Sequence, residues 1–595
     1  MAKNKTAKKK NFHDQERMGL WILAATLSLS SLAVCTSLLD PYTLPKLFSL
    51  AAGVVVSLIF WVWSRKKSVS VSPLFVPTLG IVAVACASVF FSADRAGGWL
   101  GAPELHAYGL AALFVYAALL WIVSSFSDED LVIPWALTVI GAILGMSAIA
   151  QWSFGILLPG FATSLVNGRA TALFGSPVYL GAVSALMAPY ALDRALSSRG
   201  TRSLMAWSGF ALVVVALLLS RSRGAWLAFS VGAGVYGLLR GGLPSRKQTA
   251  GVLAGLLFLG GLAGVIVIRR ASDSDRARLL LWKTTVKVAL SKPLLGVGPG
   301  AFKNALAKHA DTDFIAEHGR VHIQAHAHNG ILNAAATMGI AGIFAWIFFF
   351  FILIRSGRDR LREKGKSKGG IVVCALASLA AAIVQAQVNP LPVSAWAIAV
   401  YGAGRLTPIS KRAPRWSEAA QLVALALCCA SALGVWNAAR ADKHFLLARE
   451  AAHAGNGMLA VEEYKRVTQF APWHVNAGQE RVRVLIAISK NTGNKKTSHE
   501  YAKKAISAAR EMVKQRPASG SSWFSLGFSL LAAKERGLDI PPLSVREAFL
   551  EASRRSWAYP GLLEARILFE RAVGAIEEAA RLQIELDRIS KPISR

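Results

Sequence analysis

Long apolar runs alternate with short polar segments over the first 437 residues of the chain. Runs of roughly 17 to 25 residues have the length that a helix needs to cross the ~30 Å hydrocarbon core of a membrane. We therefore predict an all-α fold, a polytopic helical membrane protein with about 12–13 transmembrane helices. The predicted spans are 18–39, 47–64, 73–92, 106–125, 130–153, 176–193, 204–220, 224–240, 250–268, 328–354, 370–388, 391–405 and 418–437.

The composition changes after residue 437, where the chain becomes charged, alanine-rich and helical in period. Within this part, Trp523, Leu526 and Gly527 match the W-x2-L-G opening of a tetratricopeptide (TPR) helix pair, whose usual unit has about 34 residues. We predict a membrane domain over 1–437 and a soluble TPR-like helical domain over 438–595. The second domain is either a packing scaffold or a surface on which a protein partner or a nascent polymer docks.

The formal net charge of +33 raises the question of nucleic-acid binding. The basic residues recur in the segments after every second apolar run, which is the positive-inside pattern of membrane proteins. They form no contiguous basic surface, so no nucleic acid is expected as a partner. The pattern predicts a multi-pass membrane protein, with segments 93–105, 154–175, 221–223 and 269–327 and the domain 438–595 on the outer side.

The segment 269–327 is a polar island in a chain that is 54% hydrophobic. Together with the residues that follow it, it carries five of the eleven histidines: His309, His318, His322, His326 and His328. Their spacing fits a zinc site, a loop with incidental histidines, or a general base. Because no HExxH-type element is present, we predict no metal. In the third interpretation His328 is the base at the head of a helix, and Asn329 orients the imidazole or a hydroxyl.

Two glycines lie further along the helix that His328 precedes. Gly339 and Gly342 suit close packing of one helix against another. Such packing is expected to hold His328 rigidly near its arginine partners.

Two basic pairs fall on the predicted outer side, where the positive-inside rule disfavours them. Arg221 and Arg223 either reach the lipid headgroups or bind an anion, which guanidinium groups hold bidentately. Arg276 and Arg278 either belong to an interfacial helix or supply a further phosphate ligand. Arg169, in the preceding outer loop, faces either the same anionic ligand or the membrane surface. No Walker sequence is present, so no nucleotide cofactor is expected.

The order of these motifs resembles that of the O-antigen ligase and polymerase superfamily, most strongly over about 160–345. His328-Asn329, nine residues and then Gly339-Ile-Ala-Gly342 resemble the ligase motif H-[NSQ]-x9-G-x-x-[GTY]. Three further elements resemble recurring parts of the wider superfamily: Ser220–Trp226, Arg278-x3-Trp282 and Pro293–Gly298. The resemblance does not cover 438–595, which is an addition to the ordinary ligase plan.

The resemblance implies glycan transfer from an undecaprenyl-diphosphate-linked donor, without metal or cofactor. It also implies a protein of the bacterial inner membrane, whose outer side, with the active site and the domain 438–595, is the periplasmic side. His328 would activate the acceptor hydroxyl, and Arg221 and Arg278 would hold the diphosphate. The residues expected to border the substrate are Arg223, Asn329, Arg276, Arg169 and His326.

The acceptor stays open at the level of sequence. An O-antigen ligase uses lipid A-core, a polymerase uses another lipid-linked glycan, and a protein O-oligosaccharyltransferase uses a protein hydroxyl. Two further classes are a transporter with a regulatory repeat domain and a non-catalytic assembly scaffold. The chain shows neither matched interrupted helices nor an intramembrane carboxylate relay, which argues against transport.

Overall fold

The computed structural model describes residues 2–64, 69–70, 72–102, 105–126, 131–158, 161–162, 165–240, 273–318, 324–364, 370–407, 415–416, 418–556 and 561–590. The predicted span 250–268 and His322 lie outside these residues.

The first part of the chain is helical up to residue 240. Its helices are α1 (Ala2–Leu32), α2 (Thr43–Ser64), α3 (Phe75–Phe90), α4 (Arg95–Leu100), α5 (Leu110–Ser124), α6 (Val132–Phe154), α7 (Pro177–Ser197), α8 (Thr201–Leu219) and α9 (Arg223–Arg240). Short 3-10 turns lie at His106–Tyr108 and Ala172–Phe174. The strands are β1 (Val69–Ser70), β2 (Ile156–Leu158), β3 (Phe161–Ala162) and β4 (Arg415–Trp416), of which β1 pairs with β4 and β2 with β3, both antiparallel.

The helices after residue 272 fall into two groups. The first is α10 (Asp273–Ser291), α11 (Phe302–His309), α12 (Thr312–His318), α13 (Gly330–Lys364), α14 (Gly370–Val388), α15 (Val393–Leu406) and α16 (Glu418–His453). The second is α17 (Gly457–Phe470), α18 (Val475–Asn491), α19 (Lys495–Gln515), α20 (Gly520–Glu535), α21 (Pro542–Ser556), α22 (Leu562–Ala572) and α23 (Ile576–Ser590).

The all-α polytopic membrane fold is confirmed. Among the described residues, six helices are long and apolar enough to cross a membrane: α2, α6, α8, α13, α14 and α16. Helices α3 and α5 are apolar but shorter. Every predicted span within the described residues overlaps a helix, while the figure of 12–13 crossing helices stays a prediction. Most membrane helices share one apolar core, while α3 packs in a smaller cluster with Leu110 and Met338. Helices that are hydrophobic on all sides must be covered by neighbouring helices or by lipid.

The predicted domain boundary at residue 437 falls inside a helix. Helix α16 runs without a break from the last predicted span to His453. The helical domain is therefore a continuation of a membrane helix rather than a module on a linker. Its succeeding helices pack against one another in order, α17 on α18, α18 on α19 and α20 on α21. A Cβ at Gly527 would lie 2.6 Å from the ring of Phe549, so this glycine lets α20 and α21 pack closely. The TPR assignment itself stays a prediction.

The helical domain packs onto the polar segment 273–318, which we call the polar loop. One apolar cluster joins Phe302 and Phe314 of the polar loop to Leu563 of α22 and Leu582 of α23. The polar loop and the helical domain therefore lie on the same side of the membrane. Which side this is follows only from the charge pattern.

A buried ion pair makes a second connection between the domains. Arg516, at the end of α19, pairs with Asp94, which is 5% exposed. Asp94 also accepts hydrogen bonds from Nδ2 of Asn304 at 3.0 Å and from the N–H of Gly97 at 3.1 Å. Arg516 in turn donates to the carbonyl of Trp473 at 2.7 Å. The contact joins the helical domain, the polar loop and the segment after α3.

Replacing Arg516 with Ala should destabilise this junction. Breaking a buried ion pair costs about 3–5 kcal/mol when the remaining charge has no other partner. Asp94 keeps its hydrogen bonds from two other donors, so we expect roughly half of this loss in the free energy of unfolding. The apparent Tm should fall by a few degrees. Thermal unfolding of the purified protein measures it, with Arg510→Ala on the exposed side of α19 as the matched control. The double variant Asp94→Asn/Arg516→Ala should lose less than Arg516→Ala alone. An Arg516→Ala curve equal to that of the control would contradict the role of the pair.

Candidate active site

His328 lies directly before α13 in a backbone conformation that side chains rarely adopt. Its φ of 52° falls in the left-handed region, and such strain persists only where the surroundings hold it. The N–H of His328 donates to Nδ1 of His326 at 2.9 Å. Asn329 caps α13, because its Oδ1 accepts the N–H of Leu332 at 3.0 Å. These bonds fix the backbone from which the His328 ring extends.

The role expected for Asn329, orienting a hydroxyl or the imidazole, stays a prediction. In the structure its Oδ1 accepts a helix N–H, and the imidazole of His328 contacts a different amide. That amide is Asn389, the residue after α14, which the sequence analysis missed. The available signal was an isolated Asn before Pro390, between the predicted spans 370–388 and 391–405.

Asn389 joins His328 to an arginine. Its Oδ1 lies 3.4 Å from Nδ1 of His328 and 3.4 Å from Nη2 of Arg278. Trp282, one turn after Arg278 on α10, donates its Nε1–H to the carbonyl of Ala327 at 3.0 Å. These two contacts, with Asn389 and with Ala327, hold α10 close to His328. The structure therefore brings the predicted residues Arg278 and His328 together.

Burial keeps the two imidazoles before α13 neutral at neutral pH. The pKa of His328 is lowered from its ordinary 6.5, first by burial and then by the charges of Arg278 and His318, while the bond to Asn389 opposes the shift. Burial lowers the pKa of His326 to about 3. A neutral His328 can accept a proton. His326 is 3% exposed and its ring lies 4.9 Å from that of Tyr108, which favours positioning of His328 over the predicted contact with substrate.

The turn between α8 and α9 carries the other arginines. Arg221 has a φ of 47°, and its guanidinium lies 4.8 Å from the ring centre of Trp152. Nε of Arg169 donates to the carbonyl of Ser220 at 3.0 Å. Burial and the charge of Arg223 lower the pKa of Arg169. Three predicted arginines therefore gather at one turn, and this density of positive charge suits an anionic ligand.

The start of α9 reaches the His328 site through a glycine. A Cβ at Gly224 would lie 2.7 Å from the side chain of Val388 and 3.3 Å from Nδ2 of Asn389. A Cβ at Gly330 would lie 3.2 Å from the carbonyl oxygen of Ala386. The starts of α9 and α13 therefore pack closely on the end of α14, and we call this place the helix junction. It brings the Arg221–Arg223 turn next to the residue that contacts both Arg278 and His328.

The helix junction also contains a buried amide that the sequence analysis did not identify. Gln385 lies one turn before Asn389 and has no exposed surface. Neither polar atom of its side chain has a hydrogen-bond partner among the described residues. Such a group is costly in a protein interior, and native proteins retain few of them. The junction is thus more polar than its apolar surroundings require.

Helix α13 is interrupted at Gly339, where φ is 65° and ψ is −162°. The turn 293–298 fills the interruption and takes up the backbone groups that the helix leaves unpaired. The bonds run from Val297 N–H to Ala336 O at 2.9 Å, from Gly298 N–H to Thr337 O at 3.0 Å, and from Ile340 N–H to Pro293 O at 2.8 Å. Because this turn directly follows α10, the pairing sets α10 and α13 relative to each other.

The interruption corrects the expectation that Gly339 and Gly342 serve contacts between helices. A Cβ at Gly339 would lie 2.4 Å from the carbonyl of Leu294, so this glycine admits the turn rather than a helix. A Cβ at Gly342 would meet Met338 of the same helix at 2.3 Å. The left-handed φ is a second reason why position 339 needs glycine.

The remaining predicted residues lie around this centre. Arg276 is 57% exposed, and its Nε lies 3.7 Å from Oε2 of Glu317. The ring of His318 stacks on Phe314, with centroids 4.2 Å apart, and His309 ends α11. Among the described residues no group of three or more His, Cys, Asp or Glu side chains is placed to hold a metal ion. His322, part of the spacing that suggested zinc, lies outside those residues.

The chain is thus a multi-pass helical membrane protein with arginines and a neutral histidine gathered at one end of its helices. Residues 208–347 match the family model Wzy_C, described as O-Antigen ligase. The matched segment contains Arg221, Arg278, His328 and Gly339, and it ends before Asn389. The match supports a relationship to the O-antigen ligase superfamily and glycan transfer of the ligase or polymerase type. A search of curated proteins gave no match to the chain.

Gly339→Ala should disrupt the pairing between the turn 293–298 and α13. The new methyl group meets the Leu294 backbone, and the left-handed φ adds strain, so we expect a loss of more than about 1 kcal/mol. Gly237→Ala on α9 is the matched control, since a Cβ there meets nothing within 4 Å. Apparent Tm of both variants measures the difference. Equal stability of Gly339→Ala and Gly237→Ala would show that the turn does not depend on this glycine.

Proposed function

We propose that this protein transfers a glycan from an undecaprenyl-diphosphate-linked donor to an acceptor hydroxyl at the periplasmic face of the bacterial inner membrane, as an O-antigen ligase does. The observation that carries the proposal is the helix junction. One amide oxygen, Oδ1 of Asn389, contacts both Arg278 and the neutral His328, and Gly224 brings the Arg221–Arg223 turn beside it. The family match over 208–347 supports the same chemistry.

His328 acts as the general base. Its imidazole takes the proton of the acceptor hydroxyl while the oxygen forms a bond to the anomeric carbon of the donor sugar. Burial and the charge of Arg278 lower the pKa of His328, which favours the unprotonated ring at neutral pH. A positioned base of this kind contributes typically ~10²–10⁴-fold to a rate.

Arg221 and Arg278 hold the diphosphate. The bond from the anomeric carbon to the phosphate oxygen breaks as the new bond forms, and the diphosphate leaves with the electron pair. Guanidinium groups placed in advance stabilise this growing negative charge, so that neither a general acid nor a metal ion is needed for departure. Attack opposite to the leaving group inverts the anomeric centre. Arg169 and Arg223 add positive charge beside the same turn.

The acceptor is proposed to be lipid A-core, as in the ligases. A polymerase would use another lipid-linked glycan, and a protein O-oligosaccharyltransferase would use a protein hydroxyl. The helical domain packs on the polar loop beside the site. An acceptor that approaches the site from this side of the membrane would therefore meet the helical domain. We also propose that the helical domain binds a partner protein.

His328→Ala and Arg221→Ala should each abolish glycan transfer in cells whose glycan transfer depends on this protein. The first removes the base and the second removes a diphosphate ligand. Glycan analysis is the measurement, and for a ligase the unattached full-length polymer should accumulate on its lipid carrier. Accumulation of single repeat units would indicate a polymerase.

Two substitutions serve as controls for this experiment. His309→Ala and Arg510→Ala remove the same residue types away from the helix junction and should leave transfer unchanged. Protein level and membrane insertion should be equal in all four variants. Near-normal transfer by His328→Ala or Arg221→Ala would remove that residue from the mechanism.

A further inference from the structure

We propose that Asn389 is a positioning residue that fixes the proton of His328 on Nδ1 and thereby leaves Nε2 as the basic nitrogen. The inference rests on the proposed function, in which His328 is the base. The evidence is that the buried amide of Asn389 contacts two side chains, Arg278 of α10 and His328 before α13. Asn389 is 5% exposed and its own N–H bonds to the carbonyl of Gln385 at 2.9 Å, so its backbone is held at the end of α14.

Arg278 determines which way the amide of Asn389 faces. A guanidinium only donates hydrogen bonds, so the atom that lies 3.4 Å from Nη2 of Arg278 has to be the amide oxygen. The amide nitrogen then faces the start of α9, where it lies 3.3 Å from the position of a Cβ on Gly224. The orientation of the amide follows from this network of donors and acceptors.

The oriented amide selects the tautomer of His328. The same oxygen lies 3.4 Å from Nδ1 of His328, and an acceptor at this place requires that Nδ1 carry the hydrogen. In a neutral imidazole the lone pair is then on Nε2. An arginine that holds the diphosphate therefore also decides, through Asn389, which nitrogen of the base is free.

The neighbouring His326 has the opposite tautomer. Its Nδ1 accepts the backbone N–H of His328 at 2.9 Å, so its hydrogen is on Nε2. Two histidines that are two residues apart thus carry their protons on different nitrogens. This difference explains how His328 serves as the base while the buried His326 shapes the turn.

The charged and titratable groups near His328 are Arg278 on α10, His318 at the end of α12 and the adjacent His326, whose ring centre lies 6.1 Å from that of His328. Arg278 on α10 and His318 on α12 lower the pKa of His328, and Asn389 after α14 opposes them. Replacing Asn389 with Asp puts a carboxylate where the amide oxygen lies. An adjacent negative charge favours the imidazolium, so the pKa of His328 rises. Arg278 partly compensates the new charge, and we expect a rise of about one pH unit rather than the full range of about 1–3.

The experiment measures the titration of His328 in the full-length protein without any substrate. Diethyl pyrocarbonate modifies neutral imidazole, and mass spectrometry of peptides resolves His328 from the other histidines. In Asn389→Asp the midpoint of modification against pH should rise by about one unit over that of the unsubstituted protein. Asn491→Asp at the exposed end of α18 is the matched control, because it makes the same change of charge away from the helix junction. Coinciding midpoints of Asn389→Asp and the unsubstituted protein would overturn the inference.

A second readout follows transfer against pH in vesicles that contain lipid-linked glycan from the host strain. The acidic limb of the profile should move upward by the same amount in Asn389→Asp, and Asn389→Ala should lower the rate about tenfold or more. His328→Ala separates the two proposals. Transfer retained in His328→Ala rejects the base assignment itself. Transfer lost in His328→Ala, with an unmoved midpoint in Asn389→Asp, rejects the inference on Asn389 alone.

Discussion

The arrangement of the site depends on the backbone pairing between the turn 293–298 and the interrupted helix α13. Backbone N–H and C=O groups that are shielded from water must find partners, and a helix broken at Gly339 leaves several of them open. The turn supplies those partners and directly follows α10. The hydroxyls of Ser88 and Ser92, in the first half of the chain, donate to carbonyls of the same turn, and Ser88 also donates to a carbonyl of α13. The position of Arg278 relative to His328 follows from this pairing, which makes Gly339 a determinant of the site although it lies three turns away.

The chemistry of the site follows from placing guanidinium groups and a neutral imidazole together at the ends of buried helices. Burial lowers the pKa of His328, while an arginine retains its charge at any working pH. In the proposed reaction the histidine transfers the proton and the arginines stabilise the charge of the leaving group. The ion pair of Asp94 with Arg516 and the apolar cluster of the polar loop extend this rigidity to the helical domain. We infer that this domain is part of the platform that meets the acceptor.

Sequence patterns predicted the elements better than their contacts. Apolar run lengths indicate helices directly, and the sparse arginines of the outer segments were recognisable because charge is costly in such a chain. The role of Asn389 could not be predicted, since one amide near a proline is common and its meaning arises only when α10, α13 and α14 meet. Gly339 was identified as important, but local sequence does not distinguish a glycine that admits a turn from one that admits a helix. Local sequence leaves the role of Asn329 open for a related reason, because an Asn before a helix is also a good cap.

The central claim is that the helix junction binds a lipid diphosphate opposite the imidazole of His328. Cryo-electron microscopy of the protein with undecaprenyl diphosphate tests it most directly. We expect phosphate density in contact with the guanidinium groups of Arg221 and Arg278, on the side of the junction that His328 faces. Phosphate density on the opposite face of the membrane, or density that touches neither arginine, would contradict it.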